Sequence, residues 1–392
     1  MFSVKIVFWL GLFIVFYSYI GYGLLLWVYL RLKGLFVAPK KTNFTGFEPP
    51  VTLIVATFNE EAIIEEKILN CLALDYPADK LTLLFAADGS NDKTVDIISK
   101  YPRINLYFKP ERAGKVAAIN RVMPEIKTPY VIFSDANTFL NKESIREILK
   151  HYADEKVGAV AGEKKVMEKI LEGGAVAGEG IYWKYESFLK KLDSEFYTVV
   201  GAAGELFSIK SDLFEPTPGN VLLDDFIISL KICKKGYRVV YEPLAYATET
   251  PSDSMLEEQK RKIRISAGGF QSMLMLKDLL NISRYGKLSF QYISHRVLRW
   301  AICPFLLPLI LAANLLLVMA GSGWVYVLFL ACQAIFYAAA LLGWLFSLNN
   351  IKVKLFYIPY YFVFMNVALY IGLKRFLTNK QSVLWDKAKR KT

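Results

Sequence analysis

Four long apolar runs constrain the fold of this 392-residue chain more than any other feature of its sequence. They are residues 6–30, 297–319, 324–346 and 355–373. Each has about the 20 residues that a helix needs to cross the hydrocarbon core of a bilayer, and each carries few charges. The section between the first two runs has the polarity of an ordinary soluble protein. We therefore predict one soluble domain flanked by transmembrane helices.

A signal peptide or a large soluble core would account for the apolar runs less well. The first run is too long for the apolar core of a secretory signal peptide and has no small-residue cleavage site, so we expect residues 1–32 to be a retained anchor. Buried helices of a large soluble core would carry more charges at these lengths. We expect residues 297–377 to form three further membrane segments.

Basic residues next to the apolar runs predict the side of the membrane on which the soluble domain lies. Lys5 alone precedes the first run. Four basic residues follow that run: Arg31, Lys33, Lys40 and Lys41. Because positive charge favours the cytoplasmic side, the domain should be cytoplasmic, and Lys352 and Lys354 agree. We therefore predict an integral protein of the cell (inner) membrane.

The basic tail at residues 378–392 also favours the cytoplasm, yet four full crossings would place it outside. A re-entrant or interfacial segment would resolve this conflict. Residues 297–319, which contain Pro304 and Pro308, are the first candidate for such a segment.

The remaining composition disfavours several kinds of site. The net charge of +12 is concentrated near the membrane flanks, where attraction to anionic lipid accounts for it without nucleic acid. The four cysteines have neither the pattern of a disulfide framework nor zinc-ligand spacing. Since His151 and His295 are the two histidines of the chain, a serine or cysteine nucleophile assisted by histidine is improbable.

Residues 49–250 predict an α/β domain with a mostly parallel sheet, because apolar runs of strand length alternate with helical patterns. The predicted strands are residues 51–57, 81–86, 104–108, 130–134 and 158–161. The predicted helices are residues 60–72, 92–99, 115–123 and 142–151. Residues 251–296 predict amphipathic helices at the membrane interface.

Polar motifs follow three of the predicted strands. They are Thr57-Phe58-Asn59-Glu60, Asp88-Gly89-Ser90 and Asp135-Ala136-Asn137. Taken singly, each motif could be a turn or a helix cap. Taken together, they indicate a ligand crevice, because open α/β sheets bind ligands at the carboxyl ends of their strands. A carboxylate such as Asp88 can accept the imide N–H of uracil, which favours a nucleotide.

The third motif has the chemistry of a divalent metal site. Side chains alternate along a strand, so Asp135 and Asn137 share one face. Their oxygen atoms suit Mg²⁺ or Mn²⁺ bridging a diphosphate. For this segment alone, an Asp/Asn turn without a metal is the alternative.

Later charged segments supply further candidates. Arg112-Ala113-Gly114-Lys115 opens a predicted helix, whose N-terminus suits phosphate, although solvated basic residues would explain the motif equally well. It does not have the Walker A spacing. Asp224 and Asp225 begin another predicted helix, where they either complement its dipole or supply a general base. Arg261 and Arg264 share a face of a basic amphipathic helix that could contact lipid or reach a pyrophosphate.

The order of these motifs resembles that of membrane-bound family 2 glycosyltransferases of the inverting type. This group includes the cellulose, hyaluronan and poly-N-acetylglucosamine synthases and the ceramide glucosyltransferases. The resemblance covers about residues 49–270. It implies a GT-A-like nucleotide-diphospho-sugar transferase domain that uses Mg²⁺ or Mn²⁺.

The resemblance also implies a role for each motif. The nucleotide sugar would contact Thr57, Asn59, Glu60, Asp88 (at uracil), Lys115 and Arg261. Asp135 would be the metal-binding acid of the family's Asp-x-Asp element, with Asn137 where a second acid is usual. Asp225 would be the catalytic base, preceded by Asp224 in place of the usual Glu.

The acceptor side departs from the family's pattern at several positions. Gly204 and Glu205 belong to a segment that is similar to the strand flooring the acceptor site, where an acid is unusual. Arg264 matches the arginine of the Gln-x-x-Arg-Trp element, but Arg261 and Ile265 replace its glutamine and tryptophan. In the polymerising relatives this tryptophan helps to line the acceptor site. Its replacement favours a single transfer to a lipid-linked or short acceptor.

We therefore predict an enzyme that moves a sugar from a nucleotide-sugar donor, with a UDP-sugar as the first candidate, to a glycan or lipid-linked hydroxyl. Cell-surface polysaccharide or glycolipid synthesis would be its setting, with membrane lipids as its surroundings. Two alternatives stay open: transfer to polyprenyl phosphate, and an inactive membrane scaffold with a glycosyltransferase-like domain.

Overall fold

The computed structural model describes residues 1–36, 46–166, 174–250, 255–349, 351, 353–382 and 384. Lys40, Lys41 and Lys352, which support the predicted orientation, lie outside the described residues, as does most of the basic tail.

Eight strands form one sheet among the described residues. They are β1 (Val51–Thr57), β2 (Leu81–Asp88), β3 (Ile104–Lys109), β4 (Tyr130–Asp135), β5 (Thr138–Leu140), β6 (Val157–Val166), β7 (Leu206–Lys210) and β8 (Arg238–Glu249). Their order across the sheet is β3-β2-β1-β4-β7-β6-β8-β5. The four strands β1 to β4 are parallel to one another, whereas β7 runs antiparallel to both β4 and β6. The sheet is therefore mixed, and its parallel half contains the three strand-end motifs.

Fourteen α-helices are described. They are α1 (Phe2–Phe16), α2 (Tyr22–Phe36), α3 (Ile64–Leu72), α4 (Thr94–Ile98), α5 (Lys115–Val122), α6 (Ser144–Leu149), α7 (Gly174–Phe196), α8 (Asp224–Lys234), α9 (Met255–Met275), α10 (Ile282–Tyr285), α11 (Lys287–Tyr292), α12 (Cys303–Met319), α13 (Trp324–Leu348) and α14 (Lys354–Leu377). Two π-helical segments, Tyr17–Gly21 and Ile293–Ile302, join α1 to α2 and α11 to α12. Short 3₁₀ turns occur at Met123–Glu125, Lys150–Ala153, Ser211–Leu213 and Lys277–Leu280.

All five predicted strands and all four predicted helices of the soluble domain coincide with observed elements. Strands β5 and β8 were not among the predicted strands. Strand β7 begins at Leu206, directly after Gly204 and Glu205 of the segment that resembles the strand flooring the acceptor site. In β8 the chain contains Pro243, which normally argues against an inner strand. The structure accommodates it in a bulge, because Gly162 pairs with Glu242 whereas Glu163 pairs with Tyr246.

The sheet is buried on both faces, which explains the continuous apolar sequence of β1. Leu53 and Val55 contribute to the apolar cluster beneath α3 and α6. Ile54, between them, points to the opposite cluster, which includes side chains of α5 and α8. These two layers fix the position of β1.

The strand register brings the polar motifs to one edge. Ala56 pairs with Asp135, and Thr57 pairs with Ala87, so β1, β2 and β4 end side by side. The turn after β2 requires glycine, because Gly89 has a φ of 74° and a Cβ there would lie 2.5 Å from Arg112 Cβ. The carboxyl edge of the sheet is thus the place where a ligand site can form.

Four helical stretches are long and apolar enough to cross a membrane among the described residues. They are Phe2–Phe36, Lys287–Met319, Trp324–Leu348 and Leu355–Leu377. They coincide with the four predicted runs. Their crossing and its direction stay predictions.

Residues 297–319 do not show the break that a re-entrant segment would need. The chain stays helical through Pro304 and Pro308. Pro304 lies in the first turn of α12, where a missing N–H has little cost. Pro308 cannot donate to the Pro304 carbonyl, but the Tyr370 hydroxyl of α14 donates to that carbonyl instead. The helix is therefore continuous here, and the place of this segment in the membrane stays a prediction.

Helix α14 packs closely on α9, the helix that carries Arg261 and Arg264. A Cβ at Gly372 would lie 2.5 Å from Ser266 Cβ and 2.8 Å from the Ala267 nitrogen. Glycine therefore allows the two helices to meet backbone to backbone. This contact fixes the C-terminal half of α14 against the soluble domain.

Candidate active site

A cleft of about 370 Å³ lies at the carboxyl edge of the sheet, bounded by α8, α9 and α14. All of the predicted site residues except Asn59 line it. They are Thr57, Glu60, Asp88, Lys115, Asp135, Asn137, Gly204, Glu205, Asp224, Asp225, Arg261 and Arg264. The sequence prediction therefore identified residues that are brought together from seven separate segments.

Asn59 lies beside the cleft and joins two loops. Its Nδ2 donates to Asn91 Oδ1 at 2.8 Å, and the Asn91 backbone N–H donates to Asn59 Oδ1 at 3.0 Å. Asn59 has a φ of 52°, a conformation that asparagine tolerates better than most residues. Its arrangement holds the β1 loop against the β2 loop.

Asp88 organises the loop that precedes α5. Its Oδ2 accepts hydrogen bonds from the backbone N–H groups of Ala113 and Gly114, at 2.7 and 2.6 Å. Its Oδ1 accepts one from Arg121 at 3.2 Å. A carboxylate oxygen can accept two hydrogen bonds, so Oδ1 keeps the capacity for one more donor.

Phe58 and Arg112 form a platform next to Asp88, and sequence analysis did not identify them as a pair. The Arg112 guanidinium lies 3.7 Å from the centre of the Phe58 ring, and both residues line the cleft. Planar groups stacked in this way suit the face of a nucleobase. Each of the two residues belongs to a motif that is visible in the sequence, but only the fold shows that their side chains meet.

Lys115 lies at the centre of the acidic part of the cleft. Its Nζ donates to Asp135 Oδ1 at 2.6 Å and lies 4.0 Å from Asp224 Oδ2. Burial alone would lower the pKa of Lys115, but the carboxylates of Asp135 and Asp224 outweigh it and raise that pKa. Burial also raises the pKa of Asp135, although Lys115 opposes this shift.

Asp225 has a raised pKa. Burial, followed by repulsion from Asp224, raises its pKa to about 7. It stands at the start of α8, one residue before Phe226, whose side chain is buried in the core. A carboxylate with this pKa can take up a proton near neutral pH.

Gly204 leaves open the space in front of Asp225. A Cβ at this position would lie 3.2 Å from Lys115 Nζ and 3.4 Å from Asp225 Oδ2. A larger side chain would therefore occupy the region between the base and the lysine. This is where reacting groups can reach both.

A buried charge network forms the wall beside Glu205. Lys164, whose side chain has no exposed surface, donates to Glu205 at 2.6 Å and also pairs with Glu249. Arg261 lies 3.1 Å from Glu258 and 3.6 Å from Glu249. The acid at position 205 is therefore the counter-ion of a buried lysine, and Arg261 is turned towards two acids.

Arg264 lies at the acidic centre. Burial lowers the pKa of its guanidinium, while Asp224, Asp135 and Asp225 oppose this shift. The guanidinium is thus close enough to interact electrostatically with all three carboxylates. It provides a positive group on the α9 side of the cleft.

Two indoles that sequence analysis did not select also line the cleft: Trp183 of α7 and Trp300 of the π-helical segment. The Trp300 ring lies 5.5 Å from the Phe226 ring, next to Asp225 in sequence. Gly269 makes room for it, because a Cβ there would lie 2.8 Å from Trp300. The cleft therefore has aromatic surface although Ile265 supplies none.

The residues present fit a divalent metal that shares its ligands with a phosphate. Asp135, Asp224 and Asn137 offer only oxygen ligands, and Asp224 Oδ2 is buried without a hydrogen-bond partner among the described residues. Among the described residues, there is no group of three His, Cys, Asp or Glu side chains that could hold a metal. Mg²⁺ typically uses one or two carboxylates together with substrate phosphates. A metal enclosed by protein ligands alone does not fit this site.

Comparisons with known proteins identify the kind of domain to which this mixed sheet and its strand-end cleft belong. Residues 52–217 match the sequence profile described as "Glycosyl transferase family 2". This segment is therefore a glycosyl transferase family 2 domain, as the order of motifs predicted.

Two curated relatives illustrate the similarity. The poly-beta-1,6-N-acetyl-D-glucosamine synthase of Staphylococcus aureus (strain COL) is 26% identical over 236 residues, which are 57% of this chain and 55% of that protein. The probable glycosyltransferase YdaM of Bacillus subtilis (strain 168) is 25% identical over 233 residues, 56% of this chain and 55% of that protein. The chain thus spans about half the length of the curated relatives it matches.

A solved structure has a similar fold. It is the mannosyltransferase PcManGT from Pyrobaculum calidifontis in complex with GDP-Man and Mn²⁺. The TM-score is 0.72 at 23% sequence identity, and the match covers 96% of this chain and 100% of that chain. The predicted GT-A-like fold is confirmed.

Proposed function

We propose that the protein is a membrane-embedded inverting glycosyltransferase that moves a sugar from a nucleotide-diphosphate sugar to an acceptor hydroxyl. A UDP-sugar is the first donor to test, and the acceptor belongs to cell-surface polysaccharide or glycolipid synthesis. The observation that carries the proposal is Asp225, with a pKa of about 7, facing an open space beside Lys115 and Gly204. The catalytic domain would lie on the cytoplasmic side of the cell membrane.

The donor would lie along the strand ends. The uracil N–H would donate to Asp88 Oδ1, and the base would stack on the Phe58–Arg112 platform. The diphosphate would lie near Lys115 and Arg264, whose positive charges offset its negative charge. Thr57 and Glu60 line the same part of the cleft.

The reaction would be one displacement at the anomeric carbon. Asp225 takes the proton of the acceptor hydroxyl while the hydroxyl oxygen bonds to the anomeric carbon. The bond from that carbon to the diphosphate oxygen breaks, and its electrons leave with the nucleotide. Because Asp225 activates the acceptor on the face opposite the leaving group, the anomeric configuration inverts.

A divalent metal held by Asp135, with help from Asp224 or Asn137, would act as a Lewis acid that neutralises charge on the leaving diphosphate. The Mn²⁺ bound with GDP-Man in the mannosyltransferase complex is consistent with this requirement. Arg264 supplies fixed positive charge at the same end of the cleft.

If the protein were an inactive scaffold, its site would be expected to lack some of the catalytic side chains. Instead, Asp225, Lys115, Asp135 and Arg264 all line one cleft, although they come from four different elements. Their joint presence favours an enzyme. Transfer to polyprenyl phosphate stays an alternative that the products can distinguish.

The test uses the full chain in lipid nanodiscs with a panel of nucleotide sugars. We expect release of nucleoside diphosphate from one donor, and EDTA should abolish it. Asp225→Asn should lower the rate by about 10² to 10⁴-fold, because a general base typically contributes this much. Asp212→Asn, which changes an exposed acid, is the matched control. Absence of release from every donor, with the protein folded, would refute the proposed activity.

A further inference from the structure

Part of the cleft lining is apolar, and a helix long and apolar enough to cross a membrane contributes to it. Five partly exposed apolar side chains belong to this part, which we call the apolar mouth: Leu223, Ile265, Trp300, Met365 and Leu369. Met365 and Leu369 belong to α14, one of the helices long and apolar enough to cross a membrane. The mouth is therefore continuous with the part of the cleft that contains Asp225.

Helix α14 has a second apolar face. Ile358 is 55% exposed and Val367 is 43% exposed, and neither lines the cleft. In a membrane these side chains would contact lipid. One helix thus borders lipid on one side and the candidate active site on the other, so an amphipathic molecule can reach both.

The polar part of the cleft contains a cation without a hydrogen-bond partner. Lys190 of α7 is 3% exposed, lines the cleft, and its Nζ has no such partner among the described residues. Buried cations nearby are paired, for example Lys164 with Glu205 and Arg296 with Glu186. A buried polar group without a partner has a large desolvation cost, which a ligand oxygen could offset.

Burial lowers the pKa of Lys190, although the carboxylates of Glu163, Glu205 and Glu186 oppose this shift. Arg296 adds to the lowering of this pKa. The charged form of this lysine is therefore less favourable than that of an exposed lysine, and an oxygen ligand would favour it.

We infer that the acceptor is a membrane lipid whose apolar chain lies in the apolar mouth against α14. Its head group presents a hydroxyl to Asp225, and Lys190 donates a hydrogen bond to a further head-group oxygen. This inference rests on the proposed function and specifies its acceptor class. The hydroxyl oxygen gains the bond to the anomeric carbon, its proton passes to Asp225, and the nucleoside diphosphate leaves with the electron pair.

A free glycan is the competing acceptor. A sugar chain leaving through the apolar mouth would place hydroxyl groups against Leu369 and Met365 without hydrogen-bond partners. A hydrocarbon chain has no such cost there. The chemistry of the mouth therefore favours the lipid.

The first experiment follows radiolabel from the active nucleotide sugar. The full chain is placed in phosphatidylglycerol nanodiscs that contain either diacylglycerol or a polyprenyl-diphosphate sugar. We expect label to enter the organic phase in at least one of these preparations, attached to the lipid by a glycosidic bond. If nucleotide is released but label enters only a water-soluble glycan, the lipid inference fails and the glycosyltransferase proposal survives. If no nucleotide is released, the proposed function itself fails.

The second experiment changes the mouth. Leu369→Asn should raise the KM for the lipid acceptor about tenfold or more, because polar substitutions weaken apolar contacts of this kind. Val367→Asn changes the outward face of the same helix and is the matched control. Met365→Gln serves as a second variant if the thermal midpoint of Leu369→Asn shows misfolding. Equal acceptor KM values for Leu369→Asn, Met365→Gln and Val367→Asn would overturn the inference.

The third experiment tests the head-group contact. Lys190→Met should raise the acceptor KM about tenfold while the thermal unfolding midpoint stays the same or rises, since a buried ammonium without a hydrogen-bond partner is removed. Lys191→Met changes the exposed neighbour and should leave both quantities unaltered. A lower midpoint with an unchanged acceptor KM would assign Lys190 to charge balance and remove it from the acceptor site.

Discussion

The Lys115 ammonium lies 2.6 Å from the Asp135 carboxylate, so the acid predicted to hold a metal is already paired with a fixed cation. The same ammonium lies 4.0 Å from Asp224. A divalent ion entering alone would be repelled by Lys115. An ion that arrives with a diphosphate would not be repelled, because the negatively charged phosphates attract both the metal ion and Lys115.

This arrangement predicts that metal binding depends on nucleotide. Mn²⁺ should bind weakly to the protein alone and tightly when UDP or the active nucleoside diphosphate is present. Lys115→Met should strengthen Mn²⁺ binding without nucleotide by about tenfold, because it removes a nearby like charge. Electron paramagnetic resonance of free Mn²⁺ measures both constants, with the exposed Lys127→Met as control. Tight binding by the unaltered protein without nucleotide would contradict the prediction.

The pKa of Asp225 predicts a specific pH profile. The base must be deprotonated to accept a proton, so kcat/KM should fall about tenfold per unit below the pKa of about 7 and level off above it. Rates of donor turnover between about pH 5 and about pH 9 measure this profile. A profile that stays flat down to about pH 5 would exclude Asp225 as the base.

The raised pKa of Asp225 also predicts how the stability of the protein changes with pH. Because the folded-state pKa is raised above that of the unfolded chain, the folded protein binds more protons between about pH 4 and 7, and stability falls as pH rises through this window. Asp225→Asn should therefore raise the thermal unfolding midpoint most above about pH 7. Exposed Asp212→Asn should not change it.

Lys164 should be a strong determinant of stability. Its ammonium is fully buried between Glu205 and Glu249, so Lys164→Met leaves two carboxylates without their counter-ion. Breaking a buried ion pair in this way typically costs about 3–5 kcal/mol of unfolding free energy. Denaturant titration measures the loss. The double variant Lys164→Met with Glu205→Gln should recover part of it, whereas strictly additive losses would argue against the pairing.

Gly372 should be needed for activity although it does not line the cleft. Gly372→Leu would force α14 away from Ser266 and so displace α9, which carries Arg264. We expect donor turnover to fall at least about tenfold, as small misplacements of catalytic groups can do. Gly34→Ala is the matched control, because a Cβ at this helical glycine meets no atom within 4 Å. Normal turnover in Gly372→Leu would show that the α9–α14 contact does not position the site.

The positions of the strand ends could be predicted because they depend mainly on the local sequence. Strands β1, β2 and β4 are buried on both faces, so each reads as an apolar run that stops at Thr57, Asp88 or Asp135. Parallel strands must then end at one edge of the sheet. Strand β8 contains Pro243, which normally argues against a strand, and only its pairing with β6 shows the bulge that accommodates this proline.

The acceptor side could not be predicted in the same way. Trp300, Met365 and Lys190 reach the cleft from segments that are distant in sequence, and their surroundings depend on tertiary packing. Arg261 is different. Its partner Glu258 lies three residues before it on the same helix, a spacing that the sequence did display.

In the predicted membrane arrangement, the candidate active site depends on a domain folded in water and on a helix, α14, placed in lipid. One wall is folded in water and carries the acids, while the opposite wall is supplied by a helix that follows Asp225 by more than a hundred residues. An excised fragment of residues 49–296 would keep the strand-end motifs and lose Met365 and Leu369. Its cleft would lack the wall that α14 supplies, so we expect its acceptor specificity to differ from that of the intact protein.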